Sequence, residues 1–183
     1  MARIPLFTND DDPAMKPLVE KIRSGRRNTV NNLYRTLLHS PPVTEAWFQQ
    51  LNAVRFGTQL PGRMRELVIM RVAYLNDAKY QLRQHIPSLA LADNVTLEEC
   101  HALADWRPSK FFDEKERATL AYVDEVTKNF SVPDAVFAAL RKHYTDRQIV
   151  ELTVLIATYT MHGHVLRALD IDLEKLHKLY TGS

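Results

Sequence analysis

Cysteine is almost missing from this sequence. Cys100 is the only cysteine among 183 residues, so no disulfide can form within the chain. A thiol peroxidase normally uses an attacking and a resolving sulfur, and one chain of this protein cannot supply both. Because Cys100 lies in the helical pattern TLEECHAL and free cysteines tend to be buried, we interpret it as a structural residue.

Long apolar runs and an excess of one charge are missing as well. The longest uncharged apolar run, 152–161, is too short to cross a bilayer. The N-terminal segment carries an acidic run where a signal peptide has an apolar core. With 24 basic and 22 acidic residues and a net charge of +2, the chain lacks the concentrated basic face that binds nucleic acid. We therefore predict a cytoplasmic protein with no nucleic-acid or membrane partner.

Glycine is scarce too, and no segment alternates as a strand would. The chain has five glycines, and its apolar residues recur with helical spacing, which predicts an all-α fold, a compact multi-helix bundle. At this length we expect one domain with a terminal extension: residues 1–44 as an N-terminal helical extension and 45–183 as the main helical domain. Helices are predicted over residues 15–24, 28–39, 43–57, 61–76, 78–91, 96–105, 113–129, 133–144, 146–161 and 172–180.

Two boundaries in this pattern bear on the candidate site. Asn76 and Asp77 predict a turn between the helices 61–76 and 78–91, with the Asp77 carboxylate capping the second helix. Pro87 lies inside that second helix, where it removes a backbone hydrogen bond and is expected to kink the chain. The two helices should therefore form a hairpin whose second arm is bent.

An acid and an imidazole lie level with each other across this hairpin. Glu66 lies ten residues before the turn and His85 eight residues after it, which places them roughly 15 Å and 12 Å from the corner at about 1.5 Å per residue. On the second helix, Ala78, Gln81 and His85 are spaced i, i+3 and i+7 and share one face. An imidazole oriented by a carboxylate is a good proton shuttle, so Glu66 and His85 are the candidate catalytic pair.

These segments resemble the carboxymuconolactone decarboxylase family, which includes the alkylhydroperoxidase D proteins. The resemblance is carried by the helix that contains Arg65-Glu66-Leu67 and by the helix that contains the Tyr-x-x-x-x-His motif, Tyr80 to His85. It continues through FFDEKERATLAYVDEVTK and YTDRQIVELTVLIATYTMHGHVLRALDI and covers about residues 45–172. It implies an alkylhydroperoxidase D-like bundle that assembles as a homo-oligomer, a trimer or hexamer, and acts on a small molecule.

The resemblance also implies roles for single residues. In the peroxidase branch an acid, a Cys-x-x-Cys pair and a histidine form the site, and Glu66 and His85 match the acid and the histidine. The two cysteine positions fall on Ala78 and Gln81, which removes the thiol chemistry of that branch. The decarboxylase branch works without a cofactor, and none is expected here.

Three further side chains are candidates for substrate binding. Gln81 lies on the His85 face and can donate a hydrogen bond to a substrate carbonyl or carboxylate. Arg71 can orient a substrate carboxylate. Tyr80 precedes His85 by five residues and either lines the pocket or packs against its neighbours.

Structural interpretations stay open beside the functional ones. Glu66 is also explained as a buried ion pair with Arg63 or Arg71, and Glu151 as a pair with Arg147 one turn earlier.

A metal site is not predicted. His162 and His164 in MHGH resemble a metal pair, but residues i and i+2 of a helix point nearly opposite ways, and Gly163 between them suggests a helix end.

A faint internal repeat is a further possibility for the fold. Glu66 and Tyr74 are matched in spacing by Glu151 and Tyr159, as a duplicated helical unit would require, although chance similarity between amphipathic helices gives the same pattern.

Three functions follow from these observations. The favoured one is a decarboxylase-like lyase that uses Glu66 and His85 for acid–base chemistry on a small lactone or carboxylic acid. The first alternative is a peroxide-reducing antioxidant protein like the alkylhydroperoxidase branch, which Ala78 and Gln81 argue against. The second is a non-catalytic oligomeric ligand-binding protein that keeps the pocket without turnover.

Overall fold

The computed structural model describes residues 2–174, which form helices joined by loops. No strand occurs within this range, so the all-α prediction is confirmed. The helices are α1 (Lys16–Gly25), α2 (Asn32–Leu37), α3 (Pro41–Phe56), α4 (Gly62–Leu75), α5 (Lys79–Gln84), α6 (Leu97–Ala102), α7 (Glu114–Asn129), α8 (Asp134–Arg141) and α9 (Asp146–Ala168). A π-helical segment (His85–Ala90) continues α5, and a short 3-10 helix (Leu103–Asp105) continues α6. The helix predicted over 172–180 lies outside the described residues except for 172–174, which are not helical.

Two compact units make up the chain. The first consists of Met1–Leu51 and Leu166–Ser183, and the second of Asn52–Val165. In the first unit, α1 turns Val19 and Ile22 inward, and both side chains are fully buried. The predicted division into an extension and a main domain after residue 44 stays a prediction.

Helix α4 is an interior helix of the second unit. It packs against α5, α7, the π-helical segment and the 3-10 helix, and its residues 67–70, 72 and 73 are fully buried. A helix that is apolar on nearly every side belongs in the interior of a fold. Its two inward-facing charged residues, Glu66 and Arg71, are therefore buried with it, at 0% and 5% exposure.

The corner between α4 and α5 differs from the prediction at Asp77. Asp77 has a left-handed backbone with φ of 48°, and the N–H groups of Asp77 and Ala78 donate to the carbonyls of Tyr74 at 3.2 Å and Ala73 at 2.8 Å. This bonding is a Schellman motif that ends α4. The prediction that Asp77 caps α5 is wrong: Ala78 occupies the N-cap position and makes no side-chain cap bond, because Asp77 is used to terminate the preceding helix.

The predicted kink at Pro87 takes the form of a π-helical segment. The helix predicted over 78–91 is α-helical only to Gln84 and then widens into His85–Ala90. Pro87 has no N–H to donate, so the regular hydrogen-bond ladder cannot continue through it. His85 is thus the first residue of a π-helical turn, a feature that is frequent at functional sites.

Helix α9 runs past the end predicted at Gly163 and continues to Ala168. A Cβ atom on Gly163 would lie 3.4 Å from the Cβ of Asn76 and 3.7 Å from that of Ala78. The glycine therefore marks the close approach of α9 to the α4–α5 corner, and the helix-end interpretation is wrong. By length and composition α9 could cross a membrane, but half of its most apolar stretch is buried, as in the core helix of a folded domain.

Candidate active site

The acid and the imidazole meet as their spacing predicts. Glu66 of α4 has no exposed surface, and its Oε2 lies 2.6 Å from Nδ1 of His85. His85 is itself buried, with 5% of its surface exposed. The hairpin of α4 and α5 thus brings together two side chains that are 19 residues apart, while their catalytic role stays a prediction.

Two arginines surround the other oxygen of Glu66. Nη2 of Arg55 lies 3.6 Å and Nε of Arg65 lies 3.7 Å from Oε1. Arg65 is held in place by bonds to the Arg55 carbonyl at 2.9 Å and to Asp93 at 2.6 Å. Burial raises the pKa of Glu66, but His85 and the two arginines outweigh it, so the pKa lies below its ordinary value. The carboxyl is therefore an anion at neutral pH.

The arginines named as structural partners of Glu66 are bonded elsewhere. Arg63 donates to Glu99 and Glu116 at 2.6 and 2.8 Å. Arg71 is likewise engaged away from Glu66, as described below. The expected ion pairs of Glu66 with Arg63 or Arg71 are therefore wrong, because the spacing along α4 says nothing about which remote side chains compete for a guanidinium.

The Glu66 bond leaves one ring nitrogen of His85 available. A carboxylate that accepts from Nδ1 fixes the proton on that nitrogen in neutral imidazole, which makes Nε2 the basic one. Nε2 forms no hydrogen bond within the described residues. The pair can thus take up or deliver a proton at Nε2.

Tyr159 of α9 is the residue that sequence reasoning missed. Its ring lies edge-on to the His85 ring, with centroids 5.9 Å apart. Its hydroxyl accepts from Arg55 at 3.3 Å, and its carbonyl accepts from Nε2 of Gln81 at 3.3 Å. One feature of the sequence points to Tyr159: the spacing of Glu151 and Tyr159 matches that of Glu66 and Tyr74. That match indicates only an internal repeat and no role at the site.

Gln81 is buried next to Tyr159, and its side-chain oxygen has no hydrogen-bond donor among the described residues. It is 2% exposed, and its Oε1 accepts no hydrogen bond within residues 2–174. A buried acceptor without a donor costs about 1–3 kcal/mol. The free group of Gln81 is therefore an acceptor, whereas the sequence suggested a donor, and its role in substrate binding stays a prediction.

The other two residues predicted to bind substrate are Tyr80 and Arg71. Tyr80 is buried at 6% exposure, and its role in binding stays a prediction. Arg71 donates to Asp124 at 2.6 Å and to the carbonyls of Leu103 and Ala104 at 2.8 and 2.9 Å. These bonds give Arg71 a structural role and leave its predicted role at a substrate carboxylate without support.

The remaining ionisable candidates have structural explanations. Glu151 accepts from Arg147 at 2.8 Å, as predicted, and also from the Gln59 N–H at 2.8 Å. His162 is buried and stacks on Tyr159 at 5.6 Å, whereas His164 is exposed. The two histidines therefore lie on different faces of α9, as their spacing predicts.

Cys100 is a core residue. It is fully buried in a cluster that includes Leu103 and Trp106, and burial raises the pKa of its thiol to about 11. About one thiol in ten thousand is then ionised at pH 7, and the thiolate is the reactive form. The structural interpretation of Cys100 is confirmed.

Comparison with known proteins identifies the matched part of the chain. Residues 41–125 match the model of the carboxymuconolactone decarboxylase family. The uncharacterized protein YnjA of Escherichia coli (strain K12) is 28% identical over 118 residues, which are 63% of this chain and 64% of YnjA. The chain thus spans a little less than two thirds of the length of the curated relatives it matches.

Solved structures share the fold. A protein of unknown function from Agrobacterium tumefaciens, described as a putative antioxidant defence protein AhpD, superposes with a TM-score of 0.72 at 26% identity over 76% of this chain and 96% of that one. An uncharacterized peroxidase-related protein with an alkylhydroperoxidase AhpD core, from Ralstonia eutropha JMP134, superposes with a TM-score of 0.81 at 19% identity over 95% and 93% of the two chains. The expected AhpD-like all-α fold is confirmed. Glu66, Gln81 and His85 lie within the family match, and Tyr159 lies beyond it.

Proposed function

We propose that this chain, whose residues 41–125 match the model of the carboxymuconolactone decarboxylase family and which has no Cys-x-x-Cys pair, is an enzyme of acid–base chemistry on a small organic acid. The substrate class is a lactone or carboxylic acid, and a decarboxylating lyase is the favoured reaction. The observation that carries the proposal is the buried 2.6 Å bond between Glu66 and His85. Thiol redox chemistry has no part in it.

Glu66 acts through His85. Its carboxylate holds Nδ1 and stabilises the positive charge that the ring gains when Nε2 takes a proton. Arg55 and Arg65 keep Glu66 ionised, because both guanidinium groups lie within 4 Å of its Oε1. His85 is therefore the proton-transferring residue and Glu66 its positioning residue.

In the favoured reaction the bond between the carboxylate carbon and its neighbour breaks and carbon dioxide leaves. The electron pair of that bond passes into a conjugated carbonyl of the substrate, which forms an enolate. The imidazolium of His85 then gives its Nε2 proton to the carbon that lost the carboxylate and is reprotonated from solvent, so one proton is consumed for each carbon dioxide released. Burial of the pair keeps bulk water from competing for these steps.

Gln81 adds a requirement on the substrate. Its free Oε1 needs a donor, and a hydroxyl or N–H on the substrate supplies one. Gln81 and His85 are one helical turn apart and both contact Tyr159, so we propose that one small molecule contacts both. We expect Gln81→Leu to raise KM for a hydroxylated acid more than it lowers kcat.

Peroxide reduction is the second candidate, supported by the likeness to the putative antioxidant AhpD of Agrobacterium tumefaciens. That chemistry needs an accessible thiolate. Cys100 is buried with a raised pKa, and the resemblance to the peroxidase branch matches its two cysteines to Ala78 and Gln81 in this sequence. The structure thus supports the acid–base reaction over the thiol reaction. A cytoplasmic location and a homo-oligomeric assembly are further proposals that rest on composition and family resemblance.

The experiment begins with a thermal-shift screen of small lactones and carboxylic acids. A ligand at a hundred times its Kd adds about 2.7 kcal/mol, or roughly 5–11 °C at about 2–4 °C per kcal/mol for a domain of this size. Compounds that raise Tm are then tested for turnover by mass spectrometry and carbon dioxide release. Glu66→Gln and His85→Asn are expected to lower kcat by about 10²–10⁴-fold, the usual worth of general acid–base catalysis.

Two controls separate the alternatives. Cys100→Ser should leave turnover unchanged, and loss of hydroperoxide turnover in that variant would instead favour a thiol peroxidase. Circular dichroism must show that the Glu66 and His85 variants are folded. Full activity in both folded variants would refute the assignment, and a Tm increase without any turnover would favour the non-catalytic binding protein.

A further inference from the structure

A surface cleft in the second unit lies apart from the Glu66–His85 pair. It has a volume of about 500 Å³ and lies between the first half of α7 and the end of α8. Neither Glu66 nor His85 lines it. Its apolar lining comes from Ala118, Ala139 and the exposed part of Trp106, a side chain that is otherwise buried at 5% exposure, so the cleft offers a small apolar surface to a ligand.

The polar lining is unbalanced in charge. Besides Arg107, the basic residues Arg117, Lys142 and His143 line the cleft, against one carboxylate, Glu114. Arg117 bonds to carbonyl oxygens, those of residues 109 and 107, at 3.0 and 2.7 Å, and pairs with no carboxylate among the described residues. The side chains of Lys142 and Glu114 make no hydrogen bond or ion pair within residues 2–174.

The positive charge of Arg107 is only partly neutralised by its carboxylate partner. Its Nη1 donates to Asp124 at 2.8 Å, but the same carboxylate is already paired with the buried Arg71 at 2.6 Å. One anion therefore faces two guanidinium groups. Arg107 lies 4.7 Å and Arg117 5.3 Å from the Trp106 ring centroid, and the Arg107 side chain is 56% exposed, so its remaining donors can reach a ligand.

We propose that this cleft is a second binding site, for a small organic anion such as an aromatic carboxylate. The positive lining attracts the charge, and the guanidinium fork of Arg107 matches carboxylate geometry. The apolar lining accepts the ring through contacts with Trp106. The site is independent of the acid–base reaction proposed for Glu66 and His85.

Benzoate is the probe, and benzamide is its uncharged match in shape. Trp47 and Trp106 are the only tryptophans, so in Trp47→Phe the emission comes from Trp106 alone. Benzoate should change this emission with saturation, and benzamide should leave it unchanged at the same concentrations. Calorimetry with the unaltered chain should give the same Kd, which shows that the Trp47 substitution has not created the site.

Substitutions locate the site. Lys142→Gln and Arg107→Gln should each raise the benzoate Kd by about three- to tenfold, since each removes a charged donor. Lys16→Gln, an equal charge change at an exposed lysine outside the cleft, should leave it unchanged. His85→Asn should also leave the Trp106 titration unchanged, which separates this cleft from the proposed substrate site. Equal binding of benzamide, or an unchanged Kd in folded Lys142→Gln and Arg107→Gln, would overturn the proposal.

Discussion

Replacing Asp124 by asparagine should be among the most destabilising single changes in the second unit. Asp124 is 2% exposed and accepts from Arg71 at 2.6 Å and from Arg107 at 2.8 Å. Asparagine keeps the shape but removes the charge, which leaves the guanidinium of Arg71, 5% exposed, buried without a counterion. Breaking a buried ion pair in this way costs about 3–5 kcal/mol. At about 2–4 °C per kcal/mol, Tm should fall by roughly 6–20 °C.

Urea unfolding at pH 7 measures the loss, and an exposed ion pair is the matched control. Arg141 and Asp146 lie 2.7 Å apart with side chains that are 55% and 80% exposed. Arg141→Gln should therefore cost at most about 1 kcal/mol. A loss below about 1 kcal/mol for Asp124→Asn would refute the reasoning, because Arg71 would then not depend on Asp124. That result would favour the role predicted for Arg71 from the sequence, the binding of a substrate carboxylate.

The same pair predicts how the loss depends on pH. Burial raises the pKa of Asp124, but the hydrogen bond and charge of Arg71, the hydrogen bond of Arg107 and the charge of Lys128 together outweigh burial, so the folded pKa lies below the ordinary value. A carboxyl of lowered pKa stabilises the fold above its unfolded pKa, about 3.9, and this stability is lost as the pH falls through the folded pKa. The difference in free energy of unfolding between the original chain and Asp124→Asn should be constant from pH 7 to about 5 and should shrink below about pH 4.

Three further predictions follow from packing and backbone geometry. Cys100 should resist a thiol reagent such as iodoacetamide in the folded protein and react fully in denaturant; rapid labelling under native conditions would contradict its burial. Gly163→Ala should be neutral or up to about 1 kcal/mol stabilising by helix propensity, while Gly163→Leu should cost about 1–3 kcal/mol in thermal unfolding by overpacking against Asn76; equal stability of the two variants would show that α9 is not closely packed there. Asp77→Gly should stabilise the chain modestly, since φ of 48° is free of strain for glycine, and a large loss would indicate that the Asp77 side chain caps α5 after all.

Features that depend on chain periodicity were predictable from the sequence. The pairing of Glu66 with His85 needed only the helical rise and the position of the turn. Capping boxes follow from residue types at a fixed spacing. Asp113 and Glu116 form one at the start of α7, and Thr145 and Gln148 form another at the start of α9. Local rules of this kind do not require knowledge of which helices touch.

Features that depend on packing between distant helices were not predictable. Arg55 and Tyr159 are 104 residues apart in the chain, and their 3.3 Å contact arises from how α3 and α9 meet. The predictions for Asp77 and Gly163 were wrong for a related reason. Each residue type has two ordinary uses, a cap or a left-handed helix end for aspartate, and a helix end or a close approach for glycine. Only the neighbouring backbone decides between them.

Ala78, which the family resemblance matches to a cysteine of the peroxidase branch, bears on packing as well as on chemistry. Ala78 is 2% exposed, and its Cβ lies 3.7 Å from where a Cβ of Gly163 would be. Two small residues thus let α9 approach the start of α5, and one turn earlier on α9 Tyr159 reaches the ring of His85. A sulfur at position 78 would lie in this narrow contact. The bond between Glu66 and His85 and the close packing of α9 against the start of α5 are therefore compatible with each other, and neither needs a cysteine at position 78 or 81.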